Sequence, residues 1–206
     1  MKKIVHLILF VVLLGCDNHN DIDFKNDFQK DFVGAAFNRT THNITYNGNY
    51  FVIDYPNGDI PDNFGVCTDV IIRAYRKMGV DLQKLIHEDI IENFNNYPIK
   101  RHWPNQTSAD SNIDHRRVPN IEKFLSTYGE IIPVSNNKND YQPGDIITWD
   151  LKGSSPWHIG IVTNKISSTS NNPLIVHNIG RGPVIDDMLF RFPIRGHYRY
   201  TPEKYK

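Results

Sequence analysis

Three residues of this sequence could together carry out nucleophilic catalysis: Cys67, His158 and His177. Cys67 follows Gly65-Val66, at the start of a segment whose apolar residues recur at helical spacing. A cysteine in the first turn of a helix lies at the positive end of the helix dipole, which favours thiolate over thiol. Such a thiolate is a potential nucleophile, and a histidine from elsewhere in the chain would be its base. The alternative is a buried structural cysteine, because free cysteine is among the most buried residue types.

The two histidines stand at the ends of two consecutive apolar segments. His158 begins the first segment and His177 ends the second, with a polar loop between them. If the segments pair as an antiparallel hairpin, both histidines lie side by side at one edge of a sheet. A helix that brings Cys67 to that edge would complete a set of nucleophile, base and orienting group. Either His177 or the amide of Asn178 could orient the His158 ring, and backbone N–H groups at the helix start could hold an oxyanion.

A change of period along the chain predicts the elements that position these residues. Apolar residues at helical spacing predict helices at Cys67–Met78, Asp81–Phe94 and Pro119–Tyr128. A short strand is predicted at Tyr50–Tyr55, and from residue 142 onward short apolar segments alternate with turns rich in glycine and proline. Helices followed by a series of strands are typical of an α+β domain with an antiparallel sheet.

A polar, proline-containing loop from residue 95 to 118 carries two adjacent arginines, Arg116 and Arg117. A loop of this length in a compact domain is usually functional or disordered, and Trp103 together with the paired arginines argues against disorder. Either arginine could hold a substrate carboxylate through a bidentate contact. The alternative is a structural ion pair with one of three nearby acids: Asp110, Asp114 or Glu122.

The first fifteen residues predict a secretory signal. A basic start, Met1-Lys2-Lys3, is followed by an apolar run from residue 4 to 14, which is too short for a bilayer span of about 20 residues. The run ends in Leu13-Leu14-Gly15-Cys16, which resembles a bacterial lipoprotein cleavage box. That resemblance implies cleavage before Cys16 and lipidation of its thiol; the alternative is a plain signal peptide with a chance cysteine. Residues 1–15 are then the signal, 16–32 a tether, and 33–206 a single domain held at the periplasmic face of the cell envelope.

Charge and cysteine content exclude several classes of protein. Removal of residues 1–15 takes away two lysines, which leaves 21 basic side chains against 23 acidic ones and no basic domain for nucleic acid. Once Cys16 is lipidated, Cys67 is the single cysteine left, so an internal disulfide cannot form. No cofactor is predicted. Zinc could accept Cys67, His158 and His177 as ligands, but no closely spaced ligand pair indicates a metal site.

The order of these segments resembles the NlpC-type, papain-like cysteine hydrolases of the bacterial cell wall. The resemblance is carried by Cys67 at a helix start and by three later segments: Pro143-Gly144-Asp145-Ile146-Ile147, His158-Ile159-Gly160-Ile161-Val162 and Ile175-Val176-His177. The stretch from about residue 35 to 202 also resembles one bacterial family of uncharacterised exported domains near that superfamily, with signature-like segments at 65–69, 112–120 and 175–180. The resemblance implies a papain-like, NlpC-type α+β fold in which N-terminal helices pack on a C-terminal antiparallel sheet.

The resemblance also implies a function. It suggests an envelope-anchored thiol amidase or peptidase that hydrolyses stem-peptide or muramoyl-peptide amide bonds of peptidoglycan, with Cys67, His158 and His177 as catalytic residues. Four further residues would contact the substrate: Asn178, Arg116, Arg117 and Asp69.

The surroundings of the cysteine differ from the usual pattern of these hydrolases. They usually have Asp before the cysteine and Ser-Gly after it, whereas this chain has Val66 before Cys67 and Thr68-Asp69 after it. This difference motivates a second hypothesis, a cell-wall-binding module that keeps the fold and the cleft without turnover.

Overall fold

The computed structural model describes residues 21–152 and 157–206. The predicted signal segment and Cys16 therefore lie outside the described residues. Five α-helices are described: α1 Asp27–Arg39, α2 Cys67–Lys77, α3 Leu82–Asn93, α4 Ile99–His102 and α5 Val118–Tyr128. Eight strands are described: β1 Thr45–Tyr46, β2 Phe64–Gly65, β3 Glu130–Ile131, β4 Ile146–Asp150, β5 Trp157–Ile166, β6 Pro173–His177, β7 Val184–Asp186 and β8 Ile194–Arg199.

Six of the strands form one antiparallel sheet in the order β3-β8-β4-β5-β6-β7. Strands β1 and β2 form a separate two-stranded parallel pair. The helices come first in the chain and the large sheet comes second, so the predicted α+β class is confirmed. Strands β5 and β6 are neighbours, as the predicted hairpin requires.

The sheet separates two hydrophobic cores because side chains alternate between its faces. The larger core contains Ile159, Ile161 and Val176 from the sheet together with the apolar face of α2 and neighbouring helices. The smaller core on the other face is built around Trp149 and Val162. Helix α2 therefore lies flat on the sheet, with its first residue close to the strands that carry the histidines.

Helix α2 has clear local reasons to begin and end where it does. Asp69, in its first turn, accepts a hydrogen bond from the backbone N–H of Val66 at 2.7 Å, which satisfies one of the free donors at the helix start. At the other end, Gly79 has a φ of +68°, a left-handed conformation that glycine adopts without strain. The predicted span Cys67–Met78 thus agrees with the helix to within one residue.

Helix α1 begins inside the segment assigned to the tether. Asn26 caps it by accepting a hydrogen bond from the backbone N–H of Gln29 at 2.9 Å. Phe28 and Phe32 are buried in the larger core, and the Phe32 ring lies 4.4 Å from that of Tyr75 in α2. The packed unit therefore starts before residue 33, because two phenylalanines of the segment 16–32 are part of its core.

The predicted strand at Tyr50–Tyr55 does not form. Instead, the backbone N–H of Ile53 donates to the side chain of Asn112 in the long loop at 2.9 Å, and the carbonyl of Asp54 accepts from Gln83. Within the two described ranges, none of the helices has the length and apolar character that a bilayer span requires.

Candidate active site

Cys67 is the first residue of α2, and its sulfur lies among backbone N–H groups. The N–H groups of Ile159, Thr68 and Cys67 itself act as hydrogen-bond donors to a thiolate at this position. The Ile159 N–H belongs to the peptide bond that directly follows His158, so the sulfur lies against the strand that carries the predicted base. The helix start and the beginning of β5 therefore meet at the cysteine.

The two predicted histidines are in direct contact. His158, at the start of β5, places Nε2 2.9 Å from Nδ1 of His177, at the end of β6, with the two rings nearly perpendicular at 89°. Both imidazoles are buried. A Cβ at Gly160, which pairs with His177, would come within 3.1 Å of the His177 Cβ and 2.7 Å of Ile175. The absence of a side chain at Gly160 is what lets His177 lie across β5.

Burial, not the helix dipole, dominates the ionisation of these groups. Burial raises the pKa of the Cys67 thiol to about 12, although the surrounding N–H groups act in the opposite direction. Burial, helped by the nearby His177, lowers the pKa of His158 to about 3. The expected preference for thiolate is therefore wrong for the free protein, in which burial favours the neutral form of both the Cys67 thiol and the His158 imidazole.

Behind His177 lies an ion pair that the sequence did not indicate. Nε2 of His177 is 3.6 Å from Oδ2 of Asp186 in β7. Asp186 in turn accepts two hydrogen bonds from the Arg191 guanidinium, at 2.8 and 3.2 Å. In the sequence these residues stand in an ordinary polar stretch after a turn, and only the pairing of β6 with β7 brings them to the histidine.

A groove of about 420 Å³ leads to Cys67. Its lining includes four aromatic side chains from three separate parts of the chain: Tyr46 and Tyr50, Trp103, and Trp157. The cysteine is 5% exposed and forms part of this lining, whereas the two histidines are buried and are not among the lining residues. A substrate would therefore meet the sulfur first and leave the imidazoles out of contact with bulk water.

Arg117 borders the groove. Its guanidinium lies 3.9 Å from the centre of the Trp103 ring, a cation–π arrangement, and donates to Gln106 and to Asp114 at 3.2 Å. The structural ion pair considered as an alternative thus exists for Arg117, with Asp114 as the partner. The arginine also lines the groove, so it stays a candidate for substrate contact.

Arg116 and Asp69 bind each other, and Arg116 also lines the groove, so their role in substrate binding stays a prediction. Arg116 donates from Nε and Nη2 to the two carboxylate oxygens of Asp69 at 3.0 and 3.1 Å, and their side chains are 2% and 4% exposed. The remaining guanidinium contacts are the backbone carbonyls of Asn47 and Asn49. The pair is satisfied within the protein, and it fixes the start of α2 to the long loop. The ion-pair partner of Arg116 is therefore Asp69 and not Asp110, Asp114 or Glu122, the acids considered from the sequence.

Asn178 is also a structural residue here. It is fully buried, its Nδ2 donates to the carbonyl of Gly65 at 3.2 Å, and its Oδ1 accepts from the backbone N–H of Gly180. It therefore joins the end of β6 to the loop before Cys67, and its contact with a substrate stays a prediction. Because Nε2 of His158 is bonded to His177, the choice left open between His177 and Asn178 as orienting group falls to His177.

The described ranges hold no group of three or more His, Cys, Asp or Glu side chains placed to bind a metal ion.

Comparison with known proteins identifies the family. Residues 33–200 match the family described as "Domain of unknown function (DUF1287)". The chain belongs to the DUF1287 family. This DUF1287 protein is 48% identical over 157 residues to "Uncharacterized protein YijF" of Escherichia coli K12, a match that covers 76% of this chain and 74% of YijF.

Two solved structures resemble this DUF1287 protein only distantly. NlpC2 from Trichomonas vaginalis is similar with a TM-score of 0.44 and 15% identity, over 90% of this chain and 50% of NlpC2. An N-acetylmuramoyl-L-alanine amidase from Bacteroides uniformis is similar with a TM-score of 0.46 and 12% identity, over 85% of this chain and 100% of the amidase. The chain thus spans about half the length of NlpC2, and likeness at this level says nothing about activity.

Proposed function

We propose that this protein is a cysteine amidase or peptidase that hydrolyses amide bonds of peptidoglycan. The observation that carries the proposal is the contact of Cys67, at a helix start, with the peptide that follows His158, whose ring is hydrogen-bonded to His177. This arrangement supports Cys67 as nucleophile, His158 as base and His177 as orienting group. The names of the two similar structures are compatible with this substrate class but do not establish it.

The positions of the protons on Cys67 and His158 determine how the site would work. Because Nε2 of His158 is occupied by His177, Nδ1 is the nitrogen left to take the Cys67 proton. Thiol and imidazole are both neutral at rest, so proton transfer accompanies attack of the sulfur on the carbonyl carbon. The tetrahedral oxyanion would be held by backbone N–H groups at the helix start. Its collapse expels the amine, which takes the proton from His158, and leaves a thioester for water to hydrolyse.

The groove supports a substrate with flat apolar faces and neutral or anionic groups. Trp103 and Trp157 are 6.2 Å apart, and Tyr50 is held at the rim by hydrogen bonds to Asp110 and Asn112. Arg117 supplies positive charge beside these rings. Sugar rings and stem peptides with carboxylates both fit this combination, so stem-peptide and muramoyl-peptide bonds are both retained as candidate targets.

The proposed location is the periplasmic face of the cell envelope. The basic, apolar and small-residue segments that end at Cys16 support export and lipidation. A lipid anchor on Cys16 would hold the domain near its substrate. Release of the protein from membranes after Cys16→Ala, measured by fractionation, tests the anchor.

The decisive experiment compares native protein with Cys67→Ala on purified sacculi, using mass spectrometry of the released fragments. Native protein is expected to release fragments, and Cys67→Ala and His158→Ala are expected to release none above background. His42→Ala is the matched control, because His42 is exposed and removal of its imidazole should leave turnover unchanged. Equal fragment profiles from native protein and Cys67→Ala would rule out this chemistry for that substrate.

A second function, a cell-wall-binding module without turnover, is favoured by one observation. Burial raises the pKa of the Cys67 thiol to about 12, which is far from the value of an activated cysteine. Such a module would sediment with sacculi to the same extent in the native and Cys67→Ala forms and release nothing in either. Fragment release that depends on Cys67 would eliminate it.

A further inference from the structure

The pair of histidines ends in a group that has no assigned role. Nε2 of His177 is buried, and no hydrogen-bond partner lies within 3.5 Å of it in the described part of the chain. The nearest acid is Asp186, whose Oδ2 is 3.6 Å away. His177 pairs with Val184, so Asp186 stands two positions further along β7, on the same face as His177. The carboxylate therefore approaches the ring diagonally across the two strands.

The hydrogen bond between His158 and His177 couples their tautomers, and Asp186 would select one of the two possible arrangements. For Nδ1 of His158 to accept the Cys67 proton, the neutral ring must carry its own proton on Nε2. That proton is then donated to Nδ1 of His177 across the 2.9 Å contact. His177, also neutral, must in turn carry its proton on Nε2, which faces Asp186. A negative charge at Asp186 favours this arrangement over the reverse one, in which both protons sit on the Nδ1 atoms.

Arg191 keeps the carboxylate charged and in place. It donates two hydrogen bonds to Asp186 and a third, at 3.0 Å, to the backbone carbonyl of Asp187. Partial burial raises the pKa of Asp186, but the hydrogen bonds and the charge of Arg191 outweigh burial, and the net pKa lies below the usual value. Asp186 and Arg191 are both outside the groove lining.

We infer that Asp186, held by Arg191, is a positioning residue that sets the tautomers of His177 and His158 and so directs Nδ1 of His158 to the Cys67 thiol. The kinetic part of this inference rests on the proposed hydrolase function, whereas the tautomer part does not. Carboxylates that orient a metal-bound histidine typically contribute about 10- to 100-fold to metal affinity or activity, and we expect an effect of similar size for Asp186.

The first test needs no substrate. The ¹⁵N chemical shifts of the imidazoles in the full chain are expected to show His177 and His158 protonated on Nε2 in the native protein. Asp186→Ala is expected to give a mixture of tautomers and slower alkylation of Cys67 by iodoacetamide at pH 7. Asp187→Asn is the matched control, because it removes the neighbouring charge, which bonds to Ser167 and Ser170 and not to the histidine. Protonation of His177 on Nδ1 in the native protein would overturn the inference.

The second test is kinetic. Asp186→Ala is expected to lower kcat on muropeptides about 10- to 100-fold with KM nearly unchanged, and Asp187→Asn is expected to leave both constants unchanged. Asp186→Asn keeps the shape of the side chain and an acceptor oxygen, so its decrease in kcat should be smaller. This variant also serves as a check in case the alanine variant misfolds. Native turnover in Asp186→Ala, with native ¹⁵N shifts, would refute the role. Absence of turnover in the native protein together with the expected tautomers would refute the hydrolase proposal and leave the tautomer assignment standing.

Discussion

The ion pair between Arg116 and Asp69 leads to a strong prediction about stability. Replacement of Asp69 by Ala leaves a guanidinium that is 2% exposed without its carboxylate, and the backbone N–H of Val66 loses its acceptor. Removal of one partner from a buried ion pair typically costs about 3–5 kcal/mol. That is a large part of the roughly 5–15 kcal/mol that stabilises a domain of this kind. We therefore expect the urea midpoint of Asp69→Ala to fall far below that of the native protein.

A double variant separates the energy of the ion pair from the stability lost in each single variant, Asp69→Ala and Arg116→Met. Asp69→Ala combined with Arg116→Met removes both charges and keeps an apolar stem in place of the arginine. Its free energy of unfolding is expected to be higher than that of Asp69→Ala alone, since no charge is left unpaired. Glu88→Gln breaks the exposed ion pair of Lys84 with Glu88 and serves as the control, with no measurable change expected. The reasoning is refuted if Asp69→Ala costs less than about 1 kcal/mol, the range of surface pairs, or if the two single losses simply add.

Three further predictions concern the site. Gly160→Ala is expected to cost about 1–3 kcal/mol in urea unfolding and to lower turnover, because the new Cβ would lie 3.1 Å from that of His177. The control, Gly34→Ala in α1, meets nothing within 4 Å and should stabilise by about 0.5–1 kcal/mol. Burial lowers the pKa of His158 from 6.5 to about 3, so between these pH values the unfolded chain binds the extra proton. The free energy of unfolding should therefore fall as the pH falls through this window, and less steeply in His158→Gln. Trp103→Ala should raise KM on muropeptides by up to about tenfold with little change in kcat.

Each of these predictions has an outcome that contradicts it. Native stability and turnover in Gly160→Ala would show that the ring contact does not depend on the missing side chain. Equal pH slopes for native protein and His158→Gln, followed by urea unfolding between pH 4 and pH 7, would remove His158 as the source of the acid sensitivity. A larger effect of Phe190→Ala, an exposed aromatic outside the groove, than of Trp103→Ala on KM would argue against the groove as the binding site.

The sequence was sufficient for the features that depend on local pattern. Apolar spacing and the positions of glycine placed Cys67 at a helix start, and the alternation of turns and apolar segments placed the two histidines on neighbouring strands. These features are set by period and by turn chemistry, which act over a few residues. The contact between His158 and His177 follows from such short-range rules together with one hairpin.

The features that the sequence did not predict depend on contacts between distant segments. Arg116 and Asp69 are 47 positions apart, and either of them could equally well have been drawn to the surface or to a substrate. The β-type residues Tyr50–Tyr55 form no strand, and the backbone of Ile53 and Asp54 is bonded instead to the distant side chains of Asn112 and Gln83. The pKa of Cys67 was expected to fall because the helix dipole can be read from the sequence, whereas the depth of burial cannot.

The burial of both imidazoles has a consequence for the order of events in the proposed reaction. A proton taken from the sulfur would be sealed away from bulk solvent, with the departing amine as its natural recipient. Water could reach the acylated sulfur only through the space that the first product vacates. Release of that fragment would thus limit the rate of the proposed reaction. An abundant amine that enters the vacated space before water does would be joined to the acyl group in place of hydrolysis.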